Sequence, residues 1–329
     1  MRSQWTGFHS VLGDDIRRFV DYKRALGRRY DNEEKALRGF DSYLAAQEVE
    51  DLSEVTPELI DRFLASRHRP RPRSYNLLLC TVRRLFDWMR DQGRVTDSPV
   101  RARSRRETSQ RVPFIFDLPT ARRLLEAARR LPDNPRALNR GTTYYTIFAI
   151  LYGLGLRVGE VCRLRIGDAD LERGLLVIRG TKFNKNRLVP FGPRMRAAIQ
   201  KYLDSRGPMS SFASDAPAFS FTNGREIHPC TVSATFHTLI PRLGLQIPTG
   251  ISPPRLHDLR HSFAVGTLLR WYRDGIDPGA GLLALATFLG HVDVTSTATY
   301  LTMTESLLRE ANRRFEAFAE PVLQEGERQ

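Results

Sequence analysis

The chain has 329 residues, 41% hydrophobic and 27% charged, a globular composition that excludes a disordered chain and leaves room for two domains with separate cores. No apolar run is long enough to span a bilayer, the first residues lack the apolar stretch of a secretion signal, and Cys80, Cys162 and Cys230 form no Cys-x-x-Cys pair, so a cytoplasmic protein with reduced thiols is expected. Lys and Arg outnumber Asp and Glu by 51 to 37, a net charge of +14 that points to a polyanionic partner, nucleic acid ahead of membrane.

The charge is uneven. Residues 1–61 carry a net −4, residues 62–111 a net +10 and the remainder +8. On charge alone, a solvated arginine face explains this block as well as a nucleic-acid face does. Only five of the basic residues are lysines: Lys23, Lys35, Lys182, Lys185 and Lys201. Arginine grips phosphate but keeps its proton at any working pH, so a proton donor here has to be Lys, His or Tyr.

The first hundred residues predict helices only. Leu12, Ile16, Phe19, Val20 and Leu26 recur at helical spacing, and Leu37, Phe40 and Leu44 mark a second helix. Thr56-Pro57-Glu58 reads as a cap with proline at the first helical position, opening a helix over 59–65. A fourth helix over 74–89 carries Leu77, Leu78, Val82, Leu85, Phe86 and Met89. We place a first domain at 1–99 and a basic, extended linker at 100–112, where core-forming side chains are nearly absent. The second domain, 113–329, is expected to be mainly helical with a small antiparallel sheet. Helices are predicted over 117–131, 144–154, 193–204, 230–243, 256–271, 281–289 and 304–318. Residues 175–178 and 187–190 read as two strands joined by a hairpin, and 218–221 as a short third strand.

Four stretches of the second domain hold residues that bear chemistry. In Leu154-Gly155-Leu156-Arg157-Val158-Gly159-Glu160, the glycines permit a tight turn, Arg157 sits at a helix start suited to an anion, and Glu160 can brace it. An Arg–Glu surface pair is the commoner fate of such residues taken alone. In His257-Asp258-Leu259-Arg260-His261, positions i, i+3 and i+4 bring two imidazoles and an arginine to one helix face. That spacing also suits zinc, but the fixed charge of Arg260 and the Asp258 standing where a zinc protease has Glu argue against it. Leu289-Gly290-His291 closes a short apolar helix, and Thr295 to Thr299 form a small-residue approach to Tyr300, suited to a side chain that must move into place. Gly180 to Arg187 would carry Lys182 and Lys185 on a hairpin tip, otherwise an ordinary solvated turn.

Together these stretches, in this order, resemble the tyrosine recombinase (phage integrase) family. The likeness covers about 112–329, and the first module is similar to the family's helical core-binding domain with less specificity. The resemblance implies a two-domain C-clamp: a SAM-like helical core-binding domain and an α+β catalytic domain. It implies that Arg157 and Arg260 bind the scissile phosphate, that Tyr300 is the nucleophile, and that His257 and His291 assist proton transfer. Lys182 matches the hairpin lysine that protonates the leaving 5′-oxygen, although Phe183 stands where glycine is usual. Glu160 and His261 would support the site from behind. Expected DNA contacts are Arg71, Arg73 and Arg83 on the first module's basic edge, Arg101, Arg103, Arg105 and Arg106 in the linker, and Lys185 and Arg187 on the hairpin.

The implied activity is site-specific DNA recombination through a 3′-phosphotyrosyl intermediate, without ATP, metal or other cofactor. The implied partners are double-stranded recombination sites and a homotetramer on paired sites, with or without related recombinases, for a cytoplasmic, nucleoid-associated protein of prokaryotic or phage origin. The long approach Trp271 to Pro278 looks more like transposon-associated integrases, pointing to a mobile element. A last helix bearing Leu307, Leu308, Phe315 and Phe318 would dock on a neighbouring subunit or pack within its own chain. Two rivals remain: a DNA-binding regulator of the same fold without catalysis, and a metal-dependent nuclease built on His257 and His261.

Overall fold

The computed structural model describes residues 7–106, 111–180, 186–206, 213–221, 224–302 and 307–313. Contacts divide the chain into two compact units, Met1–Gln110 and Arg111–Gln329. Among the described residues no helix is long and apolar enough to cross a membrane.

The first unit packs α1 (Gly13–Ala25), α2 (Asp31–Ala46), α3 (Pro57–Ser66) and α4 (Pro72–Asp91) around one core. The predicted apolar stripes supply it: Ile16, Phe19, Leu37, Phe40, Phe63, Val82 and Phe86 are fully buried or nearly so. Removing such side chains from water, at about 25 cal/mol per Å², is the main force holding the four helices together. Thr56 accepts a hydrogen bond from the Leu59 N–H at 3.3 Å, and Pro57 takes the first helical position, as its spacing predicts. Leu26 and Leu77 are exposed instead; Leu26 lies one residue beyond the end of α1, and Leu77 falls outside the buried stripe of α4.

The segment expected to be a basic, extended linker is partly tied down. Val100 is buried in the first core, and Asn76 exchanges two hydrogen bonds with the backbone of Arg105, at 2.7 and 2.8 Å. Arg83 donates to the Ala102 carbonyl, and the Arg105 guanidinium lies over the Tyr75 ring, 3.9 Å from its centroid. Residues 100–106 therefore run extended along α4, while Val112 pairs with Ile251 in the second unit.

The second unit surrounds α6 (Arg140–Gly153), which is apolar on every side and buries Tyr144, Ile147 and Phe148. Around it lie α5 (Leu118–Arg129), α7 (Val158–Cys162), α8 (Pro193–Asp204), α9 (Pro229–Leu239) and α10 (Asp258–Arg273). The sheet is antiparallel in the order β1 (Ala169–Asp170), β2 (Leu175–Ile178), β3 (Arg187–Pro190), with Leu176 opposite Val189 and Ile178 opposite Arg187. The expected third strand at 218–221 is only an isolated bridge, Ser220 to Glu226. The Arg206 guanidinium occupies the Pro217 and Ala218 carbonyls, which a ladder would otherwise use.

Helix α9 gives way to a 3₁₀ turn, Ile240–Leu243, where Pro241 withholds its N–H. A smaller core joins α10 to α11 (Pro278–Leu289), α12 (Thr295–Ala298) and the 3₁₀ turn Thr299–Thr302. Asp277 caps α11 through the Gly279 and Ala280 N–H groups, which starts that helix three residues earlier than predicted. Residues 307–313 are helical; Leu307 is buried within its own chain and Leu308 is half exposed. Phe315 and Phe318 lie outside the described residues.

Candidate active site

Two arginines from distant stretches meet at the carbonyl end of α11. Arg157, just before α7, donates to Glu160 Oε1 at 3.0 Å and to the Gly290 carbonyl at 3.1 Å. Arg260, in the first turn of α10 and 1% exposed, donates to the Gly155 carbonyl at 2.6 Å and the Leu289 carbonyl at 2.7 Å. The carbonyls that the end of α11 leaves without helical partners thus hold both guanidiniums, and the negative end of the helix dipole favours their charge.

Two glycines make this approach possible. Gly290 has φ +69°, and a Cβ there would stand 2.8 Å from the Arg187 guanidinium. Gly155 has φ +60°, and a Cβ there would stand 2.5 Å from the Phe263 ring. A side chain at either place is strained and blocked together.

Glu160 is the carboxylate of the cluster. It is buried, accepts the Arg157 N–H, and receives both ends of the Arg187 fork at 2.9 and 2.8 Å. Burial pushes its carboxyl up, but hydrogen bonds and charge from Arg187 and Arg157 outweigh that and hold it at about 2. Arg260 is also lowered, to about 10, but by burial and the charge of Arg157, which weaken its charged form. Three guanidiniums around one carboxylate leave an excess of positive charge, which an incoming anion would neutralise.

Arg187 corrects an expectation. Placed among the DNA contacts by its hairpin position, it spends its guanidinium on Glu160 and on the Phe288 carbonyl at 3.0 Å. Its side chain is only 10% exposed. It ties β3 to α7 and α11 and so positions the arginine pair. The alternation of β3 carries the signal, since Arg187 shares its face with buried Val189 and not with exposed Leu188. Arg83 likewise serves the Ala102 carbonyl. Arg71, Arg73, Arg101, Arg103, Arg105 and Arg106 are exposed. Lys182 and Lys185 lie outside the described residues.

Tyr300 is 3% exposed, with its ring in the smaller core and its hydroxyl at the polar cluster. The hydroxyl lies 3.0 Å from His261 Nδ1. Burial pushes the phenol up, while the charges of Arg260 and Arg157 and a hydrogen bond with Arg260 pull it down. The Thr295–Thr299 approach, read as suited to a side chain that must move into place, is a helical turn in which buried Thr297 bonds His291 Nδ1 at 2.7 Å.

Burial and the surrounding positive charges lower His257, His261 and His291 to about 4, although His257 opens to solvent on one side. All three are therefore neutral near pH 7. His261, expected to support the site from behind, instead touches the phenol itself. Among the described residues, no three of His, Cys, Asp and Glu converge as a metal-holding group.

Glu160→Gln keeps the shape and removes the charge. It is expected to destabilise the fold by about 3–5 kcal/mol, because the guanidiniums keep their burial and lose their counterion. Glu160 titrates lower folded than unfolded, so its contribution is complete above about pH 4.5 and fades as pH falls toward 2. Denaturant midpoints should therefore differ most near neutrality and converge in acid; parallel midpoints at both ends would contradict the pairing.

Three comparisons bear on the ancestry of this arrangement. The profile of the phage integrase family matches residues 120–306. A Sinorhizobium fredii protein, named as an integrase/recombinase y4rB, is 33% identical over 310 residues, which cover 93% of this chain and 98% of the relative. The tyrosine recombinase XerC of Pelobacter propionicus is 31% identical over 273 residues, 81% of this chain and 82% of the relative. Among solved structures, the XerH site-specific recombinase bound to a palindromic difH substrate superposes with a TM-score of 0.64 at 18% identity, covering 92% of this chain and 84% of that one, a likeness of fold. With a family match over more than half its length and a full-length relative at one-third identity, the chain belongs to the phage integrase family of tyrosine recombinases.

Proposed function

We propose that the protein recombines double-stranded DNA at specific sites for a mobile element, through a phosphotyrosyl intermediate and as a homotetramer on paired sites. The observation that carries this reading is a phenolic hydroxyl held beside Arg260 and Arg157, in a cluster where Arg157 and Arg187 bond one buried carboxylate, Glu160. A phosphodiester is an anion whose nonbridging oxygens gain charge as the nucleophile arrives, and fixed guanidiniums stabilise that change. In this reading Tyr300 Oη bonds to phosphorus and the 5′-oxygen leaves with a proton from Lys182. The 3′-phosphotyrosine keeps the energy of the broken bond, so a second 5′-hydroxyl reseals the strand without ATP.

A duplex selected from a randomised pool by binding to the full chain, and nicked within its selected core, provides the test. The nick lets the 5′ fragment diffuse away, so a covalent protein–DNA adduct should accumulate and map to Tyr300. Tight binding without any adduct would favour the non-catalytic regulator, and activity that needs added metal would favour the nuclease.

The linker arginines offer a second check. Charge reversal at Arg101, Arg103 or Arg106 should weaken binding to unrelated duplexes alike and flatten the salt dependence by about one unit of log–log slope per lost phosphate contact. An effect confined to one sequence would contradict backbone contact there.

A further inference from the structure

The imidazoles around Tyr300 meet it in different ways. His291 lies near parallel to the phenol ring, centroids 6.3 Å apart, and its Nδ1 faces the Thr297 hydroxyl. His257 stands edge-on to His261 at 4.8 Å. The ring nitrogen at the phenolic oxygen is Nδ1 of His261, 3.0 Å away. His261 also follows Arg260 directly in the first turns of α10, so one rigid helix fixes both groups relative to the hydroxyl.

We propose that His261 orients the Tyr300 hydroxyl and receives its proton when the phenol attacks phosphorus. This rests on the reading of Tyr300 as nucleophile, and it moves the proton from the histidines named by resemblance to a residue expected only to support them. Before attack the hydroxyl donates to Nδ1 and the ring proton sits on Nε2. As the Oη–P bond forms and the P–O5′ bond breaks, the phenolic proton passes to Nδ1, giving imidazolium. The departing 5′-oxygen takes its proton from a separate donor, Lys182 in the reading above. On resealing, the 5′-hydroxyl restores the P–O5′ bond, returns a proton to that donor, and the released phenolate recovers its own from His261.

The surroundings suit an acceptor. His261 faces Arg255 from the loop before α10, His257 and Arg260 from its own helix, His291 after α11, Arg111 from the segment before α5, and Tyr300. Burial and these positive charges keep the ring neutral near pH 7. A scissile phosphate would add a negative charge beside the same arginines and raise the basicity of the ring as the proton has to leave.

The test is single-turnover adduct formation by the full chain on the nicked duplex, from pH 5 to 9. His261→Ala should be slower by about a hundredfold or more at pH 7, a typical loss for a missing proton acceptor. Added imidazole should restore part of the rate. His261→Gln keeps a hydrogen-bond acceptor but takes up no proton, so it should remain slow while binding DNA like the parent. Either variant within threefold of the parent overturns the proposal, and His261→Gln decides if His261→Ala fails to bind. A parent that binds and never forms an adduct sinks the phosphotyrosyl reading itself.

Discussion

Tyr300→Phe is expected to abolish the covalent adduct while leaving the fold and DNA binding intact. Burial makes this a clean substitution. The ring packs among Ala264, Val265, Leu268, Leu285, Leu289 and Leu307, and phenylalanine retains that ring. What disappears is one hydroxyl and its bonds to His261 and Arg260. Hydrogen bonds of this kind contribute about 0.5–3 kcal/mol, and in a domain of this size each kcal/mol shifts the melting temperature by about 2–4 °C. A shift of a few degrees is therefore expected, against a complete loss of strand cleavage. Neighbouring hydroxyls are poor substitutes: Thr297 is engaged by His291, and Thr299 donates to the Thr295 carbonyl at 3.1 Å. Denaturing electrophoresis of the trapped duplex measures the outcome, and a persistent adduct would place the nucleophile on another residue.

How much of this arrangement was legible in the sequence depends on which atoms carry it. Side-chain periodicity revealed the helices, because burial of Phe19, Phe40 and Phe86 requires the spacing that the sequence displays. The order of four motifs, through their resemblance to the tyrosine recombinases, marked Arg157, Arg260 and Tyr300 as residues that could converge, and the spacing of Arg157 and Glu160 marked the latter as a brace. Neither revealed that the Gly155, Leu289 and Gly290 carbonyls hold the two arginines, since backbone acceptors leave no residue-type signature. Arg187 was misread because hairpin position suggested exposure, while its inward register depends on pairing Ile178 with Arg187. The small residues before Tyr300 were read as an approach suited to a side chain that must move into place; in the folded chain Thr297 and Thr299 bond locally and close a helical turn. The contact between His261 and Tyr300 spans 39 residues and depends on how the 3₁₀ turn Thr299–Thr302 packs against α10, which no local pattern encodes.

Arg260→Lys tests the geometry of the pocket apart from its charge. The guanidinium spans two carbonyls contributed by stretches 105 and 29 residues away, and its charge offsets part of the rise that burial imposes on the phenol. An ammonium is a single point on a flexible stem and cannot reproduce that planar fork. If the remaining donors of Arg260 receive the nonbridging oxygens in the transition state, lysine keeps the attraction for DNA and loses the aim. Adduct formation should fall by about 100–1,000-fold, the range for removing one fixed donor from a developing oxyanion, with affinity for duplex DNA within a few-fold of the parent. Stability should fall as well, by about 1–3 kcal/mol for each buried carbonyl left without a donor, so rates need to be measured where the variant is folded. Cleavage within tenfold of the parent under those conditions would mean that charge alone suffices at this position. A matched loss of binding and cleavage would mean that Arg260 grips the ground-state phosphate as tightly as the transition state, and the rate enhancement would then rest on Arg157 and the groups around Tyr300.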